Sequence, residues 1–408
     1  YFDHIKNVYA RDQHTVVFEF SQYNAEWMYR FGYGYYSGIS PRELGKVDRK
    51  DWRNVSGTGP FILEKYVQAN AHIYTRNDNY WDQETIDGKQ YDIPFVDKLI
   101  YRIIKDEATY LTALRTGQLD ILEAMRWIAV DHLKETTPEL KWNRWLGTSG
   151  TFLSLRVDQK PFDDVRVRRA LNLAVNQKEI VELFYGGHAE LMAYPQHPGF
   201  GDYFEPLADM PEAVQALFTY NPKKARQLLD EAGVPEGFTF NVQVCSCSPS
   251  NMDLIPLLES YLKKVGIQII IQPMEYASFL SAMTTKTHGP GYLLNSGHVN
   301  PITTLRKSFV TGQTWNPSQY SSDYFDEQVR LLHLMRDENE RIEVLRKLTR
   351  EILAEAPYIW LPVAYAHTAW WPWVKNYGGE LRVGAVRPGP IYGRIWVDEK
   401  LKADLGFD

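Results

Sequence analysis

Residues 221–272 read NPKKARQLLDEAGVPEGFTFNVQVCSCSPSNMDLIPLLESYLKKVGIQIIIQ. Asn221 and Pro222 open a helix, because an Asn side chain caps free amides and proline suits the first helical position. Ala225, Leu228, Leu229 and Ala232 form one apolar stripe, and Gly233 ends it. Phe238–Val244 alternates as a strand. Met252–Val265 reads as a second helix, stopped at Gly266. Ile267–Gln272 is a short apolar run of the kind a fully buried strand shows. Strand, helix and strand in that order predict a largely parallel sheet covered by helices, which is the mixed α/β class.

Outward from this stretch the same class persists. Asp163 or Asp164 caps a helix whose apolar positions are Val167, Ala170, Leu171, Ala174 and Val175. Helices are expected over Asp323–Arg336 and Glu340–Ala354, ahead of a Trp-rich extended tail. Toward the start, Thr15–Phe20 alternates like a half-buried strand. Gly59–Val67 and Ala71–Arg76 read as a strand pair, and Asp97–Ile104 as another strand. Glu107–Leu122 reads as a helix running into a break at Gly117 and a short strand. Residues 155–365 thus form an α/β middle between strand-richer flanks. Such an insertion implies two chain crossings between lobes and a ligand cleft between them.

Composition narrows the function classes. At 44% apolar and 24% charged, 408 residues suffice for two or three globular domains. No apolar run of about 18 residues occurs, so no spanning helix is expected. The net charge of −6 leaves no basic footprint for nucleic acid. Aromatic residues reach 14%, enough to build core and a stacking surface besides. Cys245 and Cys247 are spaced as alternate residues of a strand, with side chains on opposite faces. They are therefore expected to be two free thiols without a metal. No signal peptide is visible ahead of YFDHIKNVYA.

Four segments carry a resemblance. They are SGTGPFILEKYVQANAHIYTRNDNYW at Ser56–Trp81, ALRTGQLDIL at Ala113–Leu122, PFDDVRVRRALNLAVNQKEIVE at Pro161–Glu182 and YNPKKARQLLDEAG at Tyr220–Gly233. In this order they resemble family 5 of the extracellular solute-binding proteins, which feed peptide, nickel and oligosaccharide ABC transporters. The resemblance implies a two-lobed periplasmic-binding-protein-like α/β fold of type II, in the cluster with an extra domain. It implies that 1–56 is the end of that extra domain and 57–155 the first part of lobe one. Lobe two spans 156–364, and 365–408 returns to lobe one. Crossings fall near Thr151–Arg156 and Leu361–His367. The family's opening segment has no counterpart here, so the chain is read as N-terminally incomplete, that part being absent, processed away or carried on another chain.

The same resemblance implies a function and a pocket. A ligand closes two lobes, and a membrane permease recognises the closed form. The protein is then expected in the periplasm or outside the cell, with lipid anchoring to the outer face of the cell membrane as one option and with no cofactor. Pocket positions are Arg126 and Trp127 after a lobe-one strand, and Tyr276 at the start of a lobe-two helix. The loop Leu294–Asn300 (LNSGHVN) adds Asn295, Ser296, His298 and Asn300, and Trp315, Tyr365 and His367 sit on segments expected near the cleft. Peptide-binding members place an acid in that loop to pair with the peptide's amino terminus. Here Gly297 and His298 stand there, with no carboxylate between Tyr292 and Pro301. A buried ammonium without a counter-charge costs several kcal/mol. The neutral set suits hydroxyl or amide ligands, such as an oligosaccharide or a peptide-like solute.

Plainer roles compete for each residue. Trp127, Trp315 and Tyr276 serve equally as core or rim aromatics, and His298 and His367 as hydrogen-bonded loop histidines rather than metal ligands. Trp370, Trp371 and Trp373 fit packing better than ligand stacking. A rival function is a glycoside-active enzyme, with Asp163–Asp164 or Asp323/Asp326 as paired carboxylates. Both pairs sit at helix starts, where carboxylates complement the dipole. No G-x-S-x-G, H-E-x-x-H or phosphate-binding loop occurs. A nickel or metallophore binder of the same family is the third reading.

Overall fold

The computed structural model describes residues 2–33, 38–381 and 389–407. The chain forms two compact units, Tyr1–Glu26 with Leu146–Tyr365, and Trp27–Trp145 with Ala366–Asp408.

The first unit holds a five-stranded sheet in the order Ile267–Met274, Phe238–Cys245, Gly291–Gly297, Ser149–Leu155, Tyr358–Trp360. Its first three strands run parallel and are joined by the helices Pro249–Lys263 and Tyr276–Thr284. Ser149–Leu155 lies antiparallel to both of its neighbours. Four of the five strands therefore share one direction and Ser149–Leu155 alone opposes them, so the sheet is largely parallel with one antiparallel member. Ile267–Met274 is an edge strand, which corrects the fully buried reading: Ile267 and Ile269 are buried, whereas Ile270 is exposed. One face packs under a helix and the other meets solvent.

The helix Pro222–Glu231 begins as its sequence dictates, with Asn221 Oδ1 accepting from the Lys224 amide at 3.0 Å. Asp164 caps the helix Val165–Ala174. On that helix Arg168 is buried and donates to the carbonyls of Glu355, Phe162 and Asp163 and to the Glu355 carboxylate. Arg169 donates to the carbonyl of Ala354. Two guanidinium groups thus satisfy the end of the helix Glu338–Glu355, where carbonyls lack partners and the dipole favours positive charge. The core is largely aromatic. Phe152 stacks between Tyr194 and Tyr358 at 4.9 and 4.1 Å, and Phe309 and Trp360 pack around them. The opening hairpin, Ile5–Asp12 with Thr15–Phe20, joins this unit through Ala25, whose amide donates to the His333 carbonyl at 2.8 Å.

Cys245 and Cys247 are disulfide-bonded, which corrects the free-thiol expectation. The strand ends at Cys245 and the chain turns, so side-chain alternation does not extend to Cys247. The turn brings the two Cα atoms to 5.1 Å.

In the second unit Phe61–Val67, Ala71–Arg76 and Lys98–Arg102 form an antiparallel sheet. The helix Glu107–Arg115 ends before Gly117, which takes φ +70. Trp371 and Trp373 stack at 4.5 Å against Phe407, and their indole N–H groups donate to the Leu114 carbonyl and the Asp120 carboxylate. Trp370, Trp371 and Trp373 are all buried core. Among the described residues no helix is long and apolar enough to cross a membrane.

Candidate functional site

Five of the ten expected residues gather at one corner of the first unit: Asn295, Ser296, His298 and Asn300, where the Gly291–Gly297 strand turns into the helix Pro301–Phe309, and Trp315 against Lys307 of that helix. Asn300 caps that helix, accepting from the Thr303 amide at 2.9 Å, and Pro301 follows at the first position. Asn295 is exposed and pairs in register with Thr151, whereas Ser296 is 4% exposed and its hydroxyl has no hydrogen-bond partner. The strand end is tight. A Cβ on Gly297 would stand 1.9 Å from the Thr148 carbonyl oxygen.

The corner is electrically unusual. The Lys307 ammonium donates to the Gly297 carbonyl at 2.9 Å and lies 4.7 Å from the centre of the Trp315 ring. Burial, with Arg306 beside it, lowers its pKa to about 8. His298 accepts through Nδ1 from the Asn300 amide at 3.3 Å. Burial and then Lys307 hold its pKa near about 4, against an opposing pull from Glu26, so the ring is neutral at pH 7. Glu26 is 1% exposed. It accepts from the Thr303 hydroxyl and lies 2.9 Å from Nε2 of His333.

Trp315 is 38% exposed, on a loop held by a second cation. Lys286 donates to the carbonyls of Gln313, Thr314 and Asn316 at 2.8–2.9 Å. The Asn316 amide ties the same loop to the carbonyls of Val310 and Tyr320. The indole is therefore presented on an ordered support.

The other expected residues lie apart from this corner. Tyr276 is 55% exposed at the start of its helix. Tyr365 donates to the Glu190 carboxylate and lines a cavity of about 420 Å³ with Met192, His197, Phe204 and Leu207. Arg126, Trp127 and His367 belong to the second unit. There Arg126 pairs with Glu107, Trp127 is buried beside it, and His367 stands opposite Met125 in a strand pair. A cavity of about 540 Å³ near Lys160 and Val234 holds none of the ten. Among the described residues no group of three or more His, Cys, Asp or Glu side chains is placed to hold a metal ion.

Lys307, Arg306 and Glu26 were not among the expected residues. A basic last turn ordinarily complements a helix dipole, so Arg306 and Lys307 read as capping. Glu26 meets the corner from 277 positions away along the chain, and no local pattern announces that.

The family model for bacterial extracellular solute-binding proteins, family 5 Middle, matches residues 1–316. Heme-binding protein A of Haemophilus influenzae is 26% identical over 376 residues, 89% of this chain and 65% of that protein. A dipeptide-binding protein of Pseudomonas aeruginosa is 26% identical over 405 residues, 95% of this chain and 71% of its own. The chain thus spans about two thirds of the length of these curated relatives. Among solved structures, the periplasmic binding protein DppA of Helicobacter pylori in complex with the peptide STSA superimposes with a TM-score of 0.80. The identity is 24%, covering 97% of this chain and 75% of that one. The binding protein AgaA from A. tumefacien R10, in complex with agropinic acid, gives 0.79 at 19% identity, covering 97% and 78%. These likenesses show a shared fold.

Proposed function

The chain belongs to the bacterial extracellular solute-binding proteins of family 5, and from that membership we propose that it is the solute-capturing component of an ABC importer. It closes on a small peptide-like ligand and hands it to a membrane permease, acting by binding and not by turnover. The observation that carries this reading is the corner around Gly297. There a supported, half-open indole, an exposed carboxamide at Asn295 and a neutral imidazole at His298 stand on backbone tied by Lys286 and Lys307. Ordered aromatic faces and a few polar groups are what a small-solute site needs.

The proposed contact set is Asn295, His298, Asn300 and Trp315 at this corner, with Ser296 beneath them. Tyr276, Tyr365, Arg126, Trp127 and His367 are proposed as the further contacts. The dipeptide-binding relative and the peptide-bound neighbour support a peptide-like solute. An oligosaccharide is the second reading, favoured by the exposed face of Trp315. The protein is proposed to work in the periplasm or outside the cell, with a lipid anchor on the outer face of the cell membrane as the proposed attachment.

A ligand that turns a mostly open population into a mostly closed one must favour closure by about 5 kcal/mol. Thermal-shift assays against di- and tripeptides, oligosaccharides and nickel complexes test the reading. A peptide at saturating concentration is expected to raise the melting temperature by several degrees. Stabilisation by nickel complexes alone, reversed by chelator, would replace the peptide reading with the metallophore one.

A further inference from the structure

Arg306 and Lys307 are adjacent cations, and among the described residues neither has a carboxylate within ion-pairing distance. Arg306 donates only to the Gln313 side-chain oxygen at 3.3 Å, and its Nε is buried without a partner. Lys307 donates only to the Gly297 carbonyl, although an ammonium carries three N–H bonds. A half-buried cation is normally paired. The surroundings do not supply that pairing. His298 is neutral, and the acid that acts on it, Glu26, is committed to Thr303 and His333. Beside these cations, the buried Ser296 hydroxyl on the same strand end has no partner either. Uncommitted donors thus gather from two elements, the strand end and the helix.

We propose that this corner binds an anionic group of the solute, a carboxylate, with Lys307 as the principal partner, Arg306 reinforcing it and Trp315 flanking it. This rests on the solute-capture reading and names the substrate class. The preferred ligand is a peptide-like molecule bearing a negative charge at this end rather than a free ammonium. Repulsion from Lys307 and Arg306 disfavours an ammonium here, so the cation pair discriminates in both directions.

The test uses the 408-residue chain, its Lys307→Gln and Lys307→Arg variants, and three probes of one backbone: succinyl-Ala-Ala-Ala, acetyl-Ala-Ala-Ala and unmodified Ala-Ala-Ala. Affinities are read by calorimetry at low salt. The succinylated probe is expected to bind the native chain at least tenfold more tightly than the free amine, the scale of one charge-assisted hydrogen bond. Lys307→Gln should abolish that preference, and Lys307→Arg should keep most of it. Melting temperatures of the ligand-free variants check that each has folded. Equal preference in the native chain and in a folded Lys307→Gln variant overturns the inference and leaves solute capture standing, as does tighter binding of the free amine. Binding of none of the three probes overturns the peptide reading itself, and the inference with it.

Discussion

His298 shows how burial sets chemistry at one residue. Its pKa near about 4 lies below the ordinary value of about 6.5, so the folded state resists protonation that the unfolded chain accepts. The sign follows from linkage. Above about pH 6.5 both states are neutral and the residue is indifferent. As pH falls from there toward 4, the unfolded state binds the extra proton and stability declines. NMR titration of the imidazole should give a midpoint near 4. A midpoint near 6.5 would mean that the ring is solvated. Ser296 makes a second prediction at this scale. Its hydroxyl is buried and unpaired, so Ser296→Ala should leave stability unchanged or raise it by about 1 kcal/mol, as measured by chemical denaturation. If ligand supplies the missing partner, the same variant weakens binding without weakening the fold. What was legible at this scale was residue type and order. The Glu26–Thr303 and Glu26–His333 contacts were not, because they depend on chain segments about three hundred residues apart.

Among the elements, local rules read well wherever the signal is local. Thr15–Phe20 and Ala71–Arg76 form strands over the residues whose alternation predicts them, and the Asn221–Pro222 start and Gly233 stop frame a real helix. Ile267–Met274 shows where such reading ends: apolar composition does not distinguish a central strand from an edge strand, which sheet order decides. Cys245 and Cys247 show the same limit at a boundary, since the strand ends at Cys245 and the turn after it removes the alternation that separated the two side chains. Two substitutions test how elements are held, one at the corner and one at a helix end. Gly297→Ala places a methyl against the Thr148 carbonyl and should cost about 1–3 kcal/mol or more, read as a lower denaturation midpoint. Arg168→Ala leaves the carbonyls of Phe162, Asp163 and Glu355 without their buried donor, and should cost about 3–5 kcal/mol. Its loss should loosen the end of the Glu338–Glu355 helix first, visible as faster amide exchange there.

For the whole molecule, the family was legible from four motifs in order, while the solute was not. Motifs such as Ser56–Trp81 and Pro161–Glu182 are scaffold: Asn77 ties the Gly59–Pro60 turn, and Arg168 ties a helix end. Solute choice is proposed to rest instead on loop residues and on charges that reach them from elsewhere, Lys307 among them. The missing acid between Tyr292 and Pro301 could be read from the sequence, whereas the uncommitted cations beside that loop needed the fold. Solute capture without chemistry is the central claim. Its most direct measurement is native mass spectrometry of the 408-residue chain after incubation with a mixed di- and tripeptide pool and rapid desalting. One intact peptide per chain, released unaltered on unfolding, is the predicted result. A chain that emerges bare, or a pool returned with its peptides cleaved, would contradict the account.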